Sequence, residues 1–358
     1  MCINIAIAKG GVEDFELVVN GDCVSYDLGL LDGYRDLRLR RLVLSNCQVV
    51  PIWNSSTLQG LTKLSLGEGS YMGLVNDILR NCTQLTDFRI SNSIYYQSSF
   101  PIAVPSSKLK NLQVDRCSFG KIFLTSLPCL ETFYCRDRPT KLYYGDVPRL
   151  RHVSLDYSQT KDDDKDERSG SNRVYSPSMF FSMVPPLDCL VLQFKEPQIW
   201  IAPLAVPAPF NHLKKLFVAN VPVNWDTFWI FLLLDAAPAL ESFHVHFDTS
   251  TEVQSTDVVW SSLDADGQQQ HQYRRLKELI MAGFDGVGWQ TSFIRLIMKK
   301  SPLLRCIHLL DRQIVDDGQE LGGLQIIPRR RKWHECERSK VIEDLTAGIH
   351  WPPEIILE

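Results

Sequence analysis

"LRRLVLSNC", residues 39–47, spaces its leucines at Leu39, Leu42 and Leu44 and ends on Cys47. A strand alternates with a period of two, which accounts for Leu42 and Leu44 but not for Leu39, three residues earlier. The same L-x-x-L-x-L spacing, with any apolar residue admitted at the marked positions, recurs along the whole chain. Working outward, frames open at Leu61, Leu85, Leu109, Leu130 and Leu150, then at Leu187, Leu213, Leu240, Leu276 and Leu304, and backward at Val12. One such frame is a weak signal. Twelve in phase are a strong one.

Successive frames start 20–28 residues apart, apart from two intervals of 37 and 36. A period of roughly 20–29 residues is that of leucine-rich repeats. The fold class is therefore α/β, a single leucine-rich-repeat solenoid over 1–358. Such a right-handed α/β superhelix carries a curved parallel sheet on its concave face, with helices and irregular segments on the convex side. The fourth and sixth positions of each frame point into the core, and the first caps it from the preceding turn. The ninth position (Asn20, Cys47, Cys117) is suited to donate to carbonyls of the following turn. Proline stands two residues before the frame leucine at Pro128, Pro148, Pro185, Pro238 and Pro302, where it stops the preceding segment. The two long intervals hold the most polar stretches, 157–173 and 248–272, which read as inserted surface loops. Helical apolar spacing marks 73–82, 225–237 and 288–300, and a C-terminal cap is expected over about 326–358.

A chain of 358 residues would ordinarily divide into domains, but repeat arrays escape that limit because each unit packs only on its neighbours. With 38 basic against 42 acidic residues the net charge is −4, so a nucleic-acid partner is not expected. The ten cysteines form no C-x-x-C pair and read as reduced, buried small hydrophobes. The longest apolar run, 225–240, contains Asp226, Asp235 and Pro238 and is too short to span a bilayer. No membrane partner is expected, and the location is cytoplasmic or nuclear.

Sites of covalent chemistry are missing from the pattern. GEGSYMG (67–73) has the wrong glycine spacing for a phosphate loop, and no nucleophile elbow, H-E-x-x-H or kinase signature occurs. His244 and His246 share one face of a strand without a third ligand in spacing, and WHEC (333–336) holds two possible ligands with nothing nearby to complete four, so no metal and no cofactor are expected. The run Arg329–Lys332 and the acidic stretch 161–168 read as solvated surface. An enzyme is not expected, and there are no catalytic candidates.

What remains is a surface. The third, fifth and seventh positions of each frame populate the concave face. The fifth runs Glu16, Val43, Ser65, Arg89, Gln113, Tyr134, Ser154, then Val191, Phe217, His244, Ile280 and His308, turning apolar in its second half. Exposed Arg, Tyr, Phe and His are the residues of binding hot spots. The partner-binding candidates are Arg89, Tyr134, Arg136, Phe217, His244 and His246. The alternative is that the inserted loops fold over this face and make Phe217 and its neighbours core.

With the repeats in hand, the chain resembles the leucine-rich-repeat region of plant F-box proteins of the FBD-associated type. The resemblance rests on GVEDFEL (11–17), LRLRRLVLSNC (37–47), LRNCTQLTDFRIS (79–91), LKNLQVDRC (109–117), HLKKLFVANV (212–221), FLLLDAAPALESFHVHF (231–247), YRRLKELIMAGFDG (273–286) and the ending from IIPRR (326–330) to EIILE (354–358). It implies capture of an unknown protein substrate or ligand for a cullin-based ubiquitin ligase. In that family an F-box precedes the repeats. Here the first frame opens at Val12, so a Skp1-type adaptor is not expected to bind. A standalone interaction scaffold is the other reading.

Overall fold

A computed structural model describes residues 12–18, 24–27, 39–50, 56–68, 75–93, 99–117, 119–137, 140–157, 174–175, 184–194, 200–201, 210–223, 227–248, 272–316, 324–328 and 333–358. The inserts at 157–173 and 248–272 lie, but for their end residues, outside these, as do GEGSYMG beyond Glu68 and the run 329–332. The chain divides into two compact units, Met1–Glu167 with Met179–Pro185, and Arg168–Ser178 with Pro186–Glu358.

In the first unit each frame supplies one strand of a parallel ladder: β1 (Asp14–Val18), β3 (Arg41–Ser45), β5 (Lys63–Gly67), β6 (Asp87–Ser91), β8 (Asn111–Asp115), β10 (Thr132–Asp137) and β12 (His152–Tyr157). Every pairing matches like frame positions. Phe15, Leu42, Leu64, Phe88, Leu112, Phe133 and Val153 form one inward row, and Leu44, Leu66, Ile90, Val114, Cys135 and Leu155 belong to the other. The frame leucine closes a tight turn onto the residue three before it: Leu130 N–H donates to Leu127 O (3.2 Å) and Leu150 N–H to Val147 O (3.1 Å). Pro128 and Pro148 thus occupy the second position of a β-turn, which their fixed φ suits. They shape the turn rather than merely end the segment before it.

The far side of this unit differs from the expected helices and irregular segments. Three return segments, β7 (Ser99–Ala103), β9 (Lys121–Thr125) and β11 (Lys141–Tyr144), form a second parallel sheet, and β2 (Val24–Asp27) pairs with β4 (Cys47–Val50). Chain length accounts for β9 and β11, which close the repeats from Leu109 and Leu130, the shortest, since an extended return covers about 3.3 Å per residue against 1.5 Å in a helix. Strand β7 closes a repeat as long as the helical one from Leu61. Among the described residues of this unit the helices are α1 (Ser56–Gln59) and α2 (Val75–Asn81). The Asn76 side chain closes one edge of the second sheet: its amide donates to Pro101 O (3.1 Å) and accepts from Ala103 N–H (3.0 Å). Between the sheets Phe100 stacks on Phe119 with centroids 4.5 Å apart, both buried. The ninth-position thiol of Cys117 sits 3.3 Å from Asp115 O and 3.8 Å from Ile90 O, as its frame position implies.

The eighth position leaves the sheet in the left-handed region, at Asn46 (φ 55), Glu68 (φ 48), Asn92 (φ 48) and Arg116 (φ 49). There its N–H donates to the seventh-position carbonyl of the next repeat, as from Asn92 to Asp115 (2.9 Å).

The second unit repeats this plan with β14 (Cys189–Phe194), β16 (Lys215–Pro222), β17 (Ser242–Asp248), β18 (Glu278–Ala282), β19 (Cys306–Leu310) and β22 (Glu354–Leu357). Two short segments, β13 (Val174–Tyr175) and β15 (Trp200–Ile201), also pair in parallel. The longer repeats hold helices α3 (Phe228–Asp235) and α4 (Gly288–Lys300), whose Phe231 and Phe293 rings meet at 5.2 Å. At the end of the chain α5 (Glu335–Thr346) packs on α4, where Arg295 donates to the carbonyls of Asp344, Leu345 and Ala347 and so caps α5. An antiparallel hairpin that the sequence reading did not foresee, β20 (Arg312–Asp316) with β21 (Leu324–Pro328), places β20 against β17 and β18. No helix among the described residues is long and apolar enough to cross a membrane.

One turn in this unit admits only glycine: Gly283 has φ 73, and a Cβ there would lie 2.3 Å from Phe247 O. The fully buried Gln290 side chain holds the same turn. It accepts from Asp285 N–H (2.9 Å) and Gly286 N–H (3.2 Å) and donates to Gly283 O (2.9 Å). Gln290→Leu keeps the volume and strands these backbone groups, so urea denaturation will show a loss of about 1–3 kcal/mol.

Candidate functional site

The outward rows of the two ladders carry different chemistry. In the first unit the fifth-position row runs Glu16, Val43, Ser65, Arg89, Gln113, Tyr134 and Ser154 in unbroken register. Beside it the seventh row brings Asp115 next to Arg136, and Arg136 next to Asp156. Arg89 reaches across to Asp115 (3.2 Å), and Arg116 meets the other oxygen of the same carboxylate (3.3 Å). Arg136 Nε lies 2.7 Å from Asp156, and its guanidinium stands over the Tyr134 ring at 5.8 Å.

Both aspartates are 1% exposed, and Tyr134 is 4% exposed. Of the candidates in this unit, Arg89 remains half exposed, Arg136 is mostly covered, and Tyr134 is buried and not open to a partner. Burial, with the Asp156 charge added to it, pushes the Tyr134 phenol far up, so it stays neutral. The sequence reading passed over Asp115 and Asp156. Their signal was an aspartate at the seventh position one frame after an arginine.

In the second unit the fifth row reads Val191, Phe217, His244, Ile280, His308 and Ile356. Val191 is buried, and the other members are half-buried. The Phe217 and His244 rings approach to 5.1 Å, and Phe217 and Ile280 pack on a floor of buried Ala282 and Leu310. The third row supplies polar neighbours. The Ser242 hydroxyl donates to Glu278 Oε2 (2.6 Å) and so accepts from His244 Nε2 (3.0 Å). Burial, the largest influence, holds His244 below the usual imidazole range despite the nearby Glu278 carboxylate.

These three side chains do not make a hydrolytic triad. There the imidazole stands between hydroxyl and carboxylate and uses a different nitrogen for each. Here Ser242 and Glu278 both lie on the Nε2 side, 3.0 and 3.7 Å away. The Cys306 thiol, 3.2 Å from His308 Nε2, is pushed up by burial and by the Glu354 and Glu278 carboxylates, which opposes a reactive thiolate. Among the described residues no three His, Cys, Asp or Glu side chains are placed to hold a metal ion.

His246 differs from its expected place on an open face. It is 3% exposed, beside a bulge in the pairing of β16 with β17 between Val218 and Val221. Asn220, at φ 56, donates its N–H to His246 Nδ1 (3.2 Å), which fixes the tautomer protonated on Nε2. The candidates in this unit thus separate. Phe217 and His244 lie together in the half-exposed row, and His246 is part of the structure that supports it.

Two ladders of frame-matched parallel strands, with the frame leucines buried, define a leucine-rich-repeat protein. The chain belongs to the family of the At1g61320/AtMIF1 LRR domain, whose model matches residues 2–323. No curated protein matches it. Among solved structures, an internalin from Listeria monocytogenes str. 4b F2365 aligns at 12% identity and TM-score 0.26, over 64% of this chain and 66% of that one. A likeness so slight carries no argument. The family makes the protein an interaction module. The F-box and FBD-associated features are outside what the match covers.

Two measurements probe these rows. Arg136→Met removes the guanidinium 2.7 Å from the buried Asp156 and will lower stability by about 3 kcal/mol in urea denaturation, with Asp156→Asn in the same chain restoring part of the loss. Burial depresses His246 to about 4, below its unfolded value, so the unfolded chain binds the extra proton between these values. Its contribution is present above about pH 6.5 and is lost as pH falls through about 4. His246→Asn keeps an acceptor without the titration, and unfolding curves across this window will show a flatter pH dependence than wild type.

Proposed function

We propose that the protein captures another protein on its outward sheet faces, chiefly on the row Phe217, His244, Ile280, His308 and Ile356. The observation that carries this reading is the half-exposure of five aromatic and aliphatic side chains aligned on successive strands. Such residues on a rigid sheet make anchors, because little rotamer freedom is lost on binding. Within this reading Arg89 is a contact residue of the first unit's own face. Tyr134 and Arg136 support it from below, and His246 acts through the bulge rather than by touching the partner.

The resemblance to the recognition region of plant F-box proteins supports a finer reading, that the captured protein is a substrate for ubiquitin-mediated turnover in the cytoplasm or nucleus. A scaffold with no ligase connection is the alternative. It keeps the capture surface and drops the adaptor.

Two comparisons separate these outcomes. Crosslinked capture from the source organism's extract will recover a protein with wild type and with Lys299→Glu, on the exposed end of α4, but not with folded Phe217→Asp. If Phe217→Asp never yields folded protein while Ile280→Asp folds and still captures the same protein, the row is core and the surface reading fails. Co-precipitation of the full chain with a Skp1-type adaptor decides the ligase connection. Binding establishes it, and loss of adaptor with partner capture retained leaves the scaffold.

A further inference from the structure

The outward face of β16, β17, β18, β19 and β22 combines a row, in which Phe217, Ile280 and Ile356 alternate with the imidazoles of His244 and His308, with two carboxylates that have no cation paired to them among the described residues. Neighbouring strands are about 4.8 Å apart, so the fifth-position row from Phe217 to Ile356 runs for about 19 Å. It is polarised by the third row beside it, which reads Lys215, Ser242, Glu278, Cys306 and Glu354 in register. In the turns before β14, β16, β17 and β18 acids and bases pair: Lys214 meets Asp188 at 3.2 Å and Lys277 meets Glu241 at 2.6 Å. On the face itself they do not. Glu278 is bonded to a hydroxyl and stands 3.7 Å from an imidazole that burial keeps neutral. Glu354 is exposed one strand beyond Cys306, so the two carboxylates flank that thiol from either side. The third, fifth and seventh positions of β17, β18, β19 and β22 contain no lysine or arginine, and the cation of the third row, Lys215, stands at its far end on β16. The hairpin that lies against β17 and β18 leaves the third and fifth rows of β18, β19 and β22 half exposed or more.

Resting on the capture reading above, we propose that this face receives a partner polypeptide segment with apolar side chains and an adjacent lysine or arginine, the apolar groups lying along Phe217, Ile280 and Ile356 and the cation between Glu278 and Glu354. Charge complementarity selects this occupant. A cation placed there meets two carboxylates that lack one, whereas an acidic segment adds like charge to a face already negative, which costs affinity and slows encounter. The apolar side chains supply most of the affinity and the carboxylates supply its sign. The Ser242 hydroxyl, by holding one oxygen of Glu278, fixes the direction in which that carboxylate points.

The test uses the full chain as bait for a phage-displayed random peptide library, followed by titration of the enriched synthetic peptides. The expected sequences carry lysine or arginine beside aliphatic or aromatic residues, and their binding weakens as salt rises. Glu278→Gln with Glu354→Gln, which keeps the Ser242 acceptor, will weaken them at least about ten-fold, and Phe217→Asp will abolish them. Glu278→Lys will shift the selected sequences toward acidic residues. Enriched peptides that lack basic residues and ignore both glutamine substitutions, yet are lost on Phe217→Asp, overturn the charge assignment and leave protein capture standing. A selection that enriches nothing, or only peptides indifferent to Phe217→Asp, overturns the inference, and the extract experiment then decides capture on its own.

Discussion

Each repeat is held to the next by a carbonyl that accepts twice. The second-position oxygen of one frame takes the amides of the second and third positions of the next: Arg40 O from Thr62 and Lys63, Thr62 O from Thr86 and Asp87, Lys110 O from Glu131 and Thr132. The same device joins Lys214 to Glu241 and Ser242, and Glu241 to Lys277 and Glu278. It permits one register. A slip by one residue would turn Leu112 and Val114 outward and bring Gln113 into the core. Everything described above depends on that lock, because a repeat of this length cannot bury its apolar side alone.

Since the register is fixed at the start of each strand, variation in repeat length falls on the return side. That is why Leu109 and Leu130 open repeats with an extended return while Leu276 opens one with the thirteen residues of α4, yet their strands present the same positions outward. The outward rows are in effect independent of what closes the repeat behind them. The first unit uses this freedom to build alternating arginine and aspartate, and the second uses it to build a row of apolar side chains and imidazoles.

The frame leucines were legible from sequence because the requirement that places them is local: a turn, then two inward residues. Helix 288–300 was legible for the same reason, its apolar residues Phe293, Ile294 and Ile297 falling on one face. The return strands were not: KIFLT and KLYY alternate in burial but not in sequence, where Ile122, Phe123 and Leu124, or Leu142, Tyr143 and Tyr144, run together. Short apolar runs of this kind beside a stronger periodic signal are read as connecting turn. The ion pairs were hidden for another reason. Arg89 and Asp115, or Arg136 and Asp156, meet only after the register is known, and nothing local links residues so far apart in sequence. The burial of Tyr134 and His246 was equally out of reach. Outward position follows from alternation, but exposure depends on what lies over the sheet, and for His246 on a bulge in β16 between Val218 and Val221.

The eighth position deserves a thermodynamic reading. Asparagine, glutamate and arginine occupy the left-handed region there, at a cost of about 1 kcal/mol or more for each residue without glycine's freedom. An isolated repeat would relax out of that conformation, because the carbonyl that holds it belongs to the following repeat. Each turn is thus stable only in company. When one repeat opens, its predecessor loses the acceptor that kept it wound, and the strain is released along the chain. Within the first unit this favours loss of structure as a concerted event travelling back from the end of the ladder, rather than as single repeats blinking open in the middle.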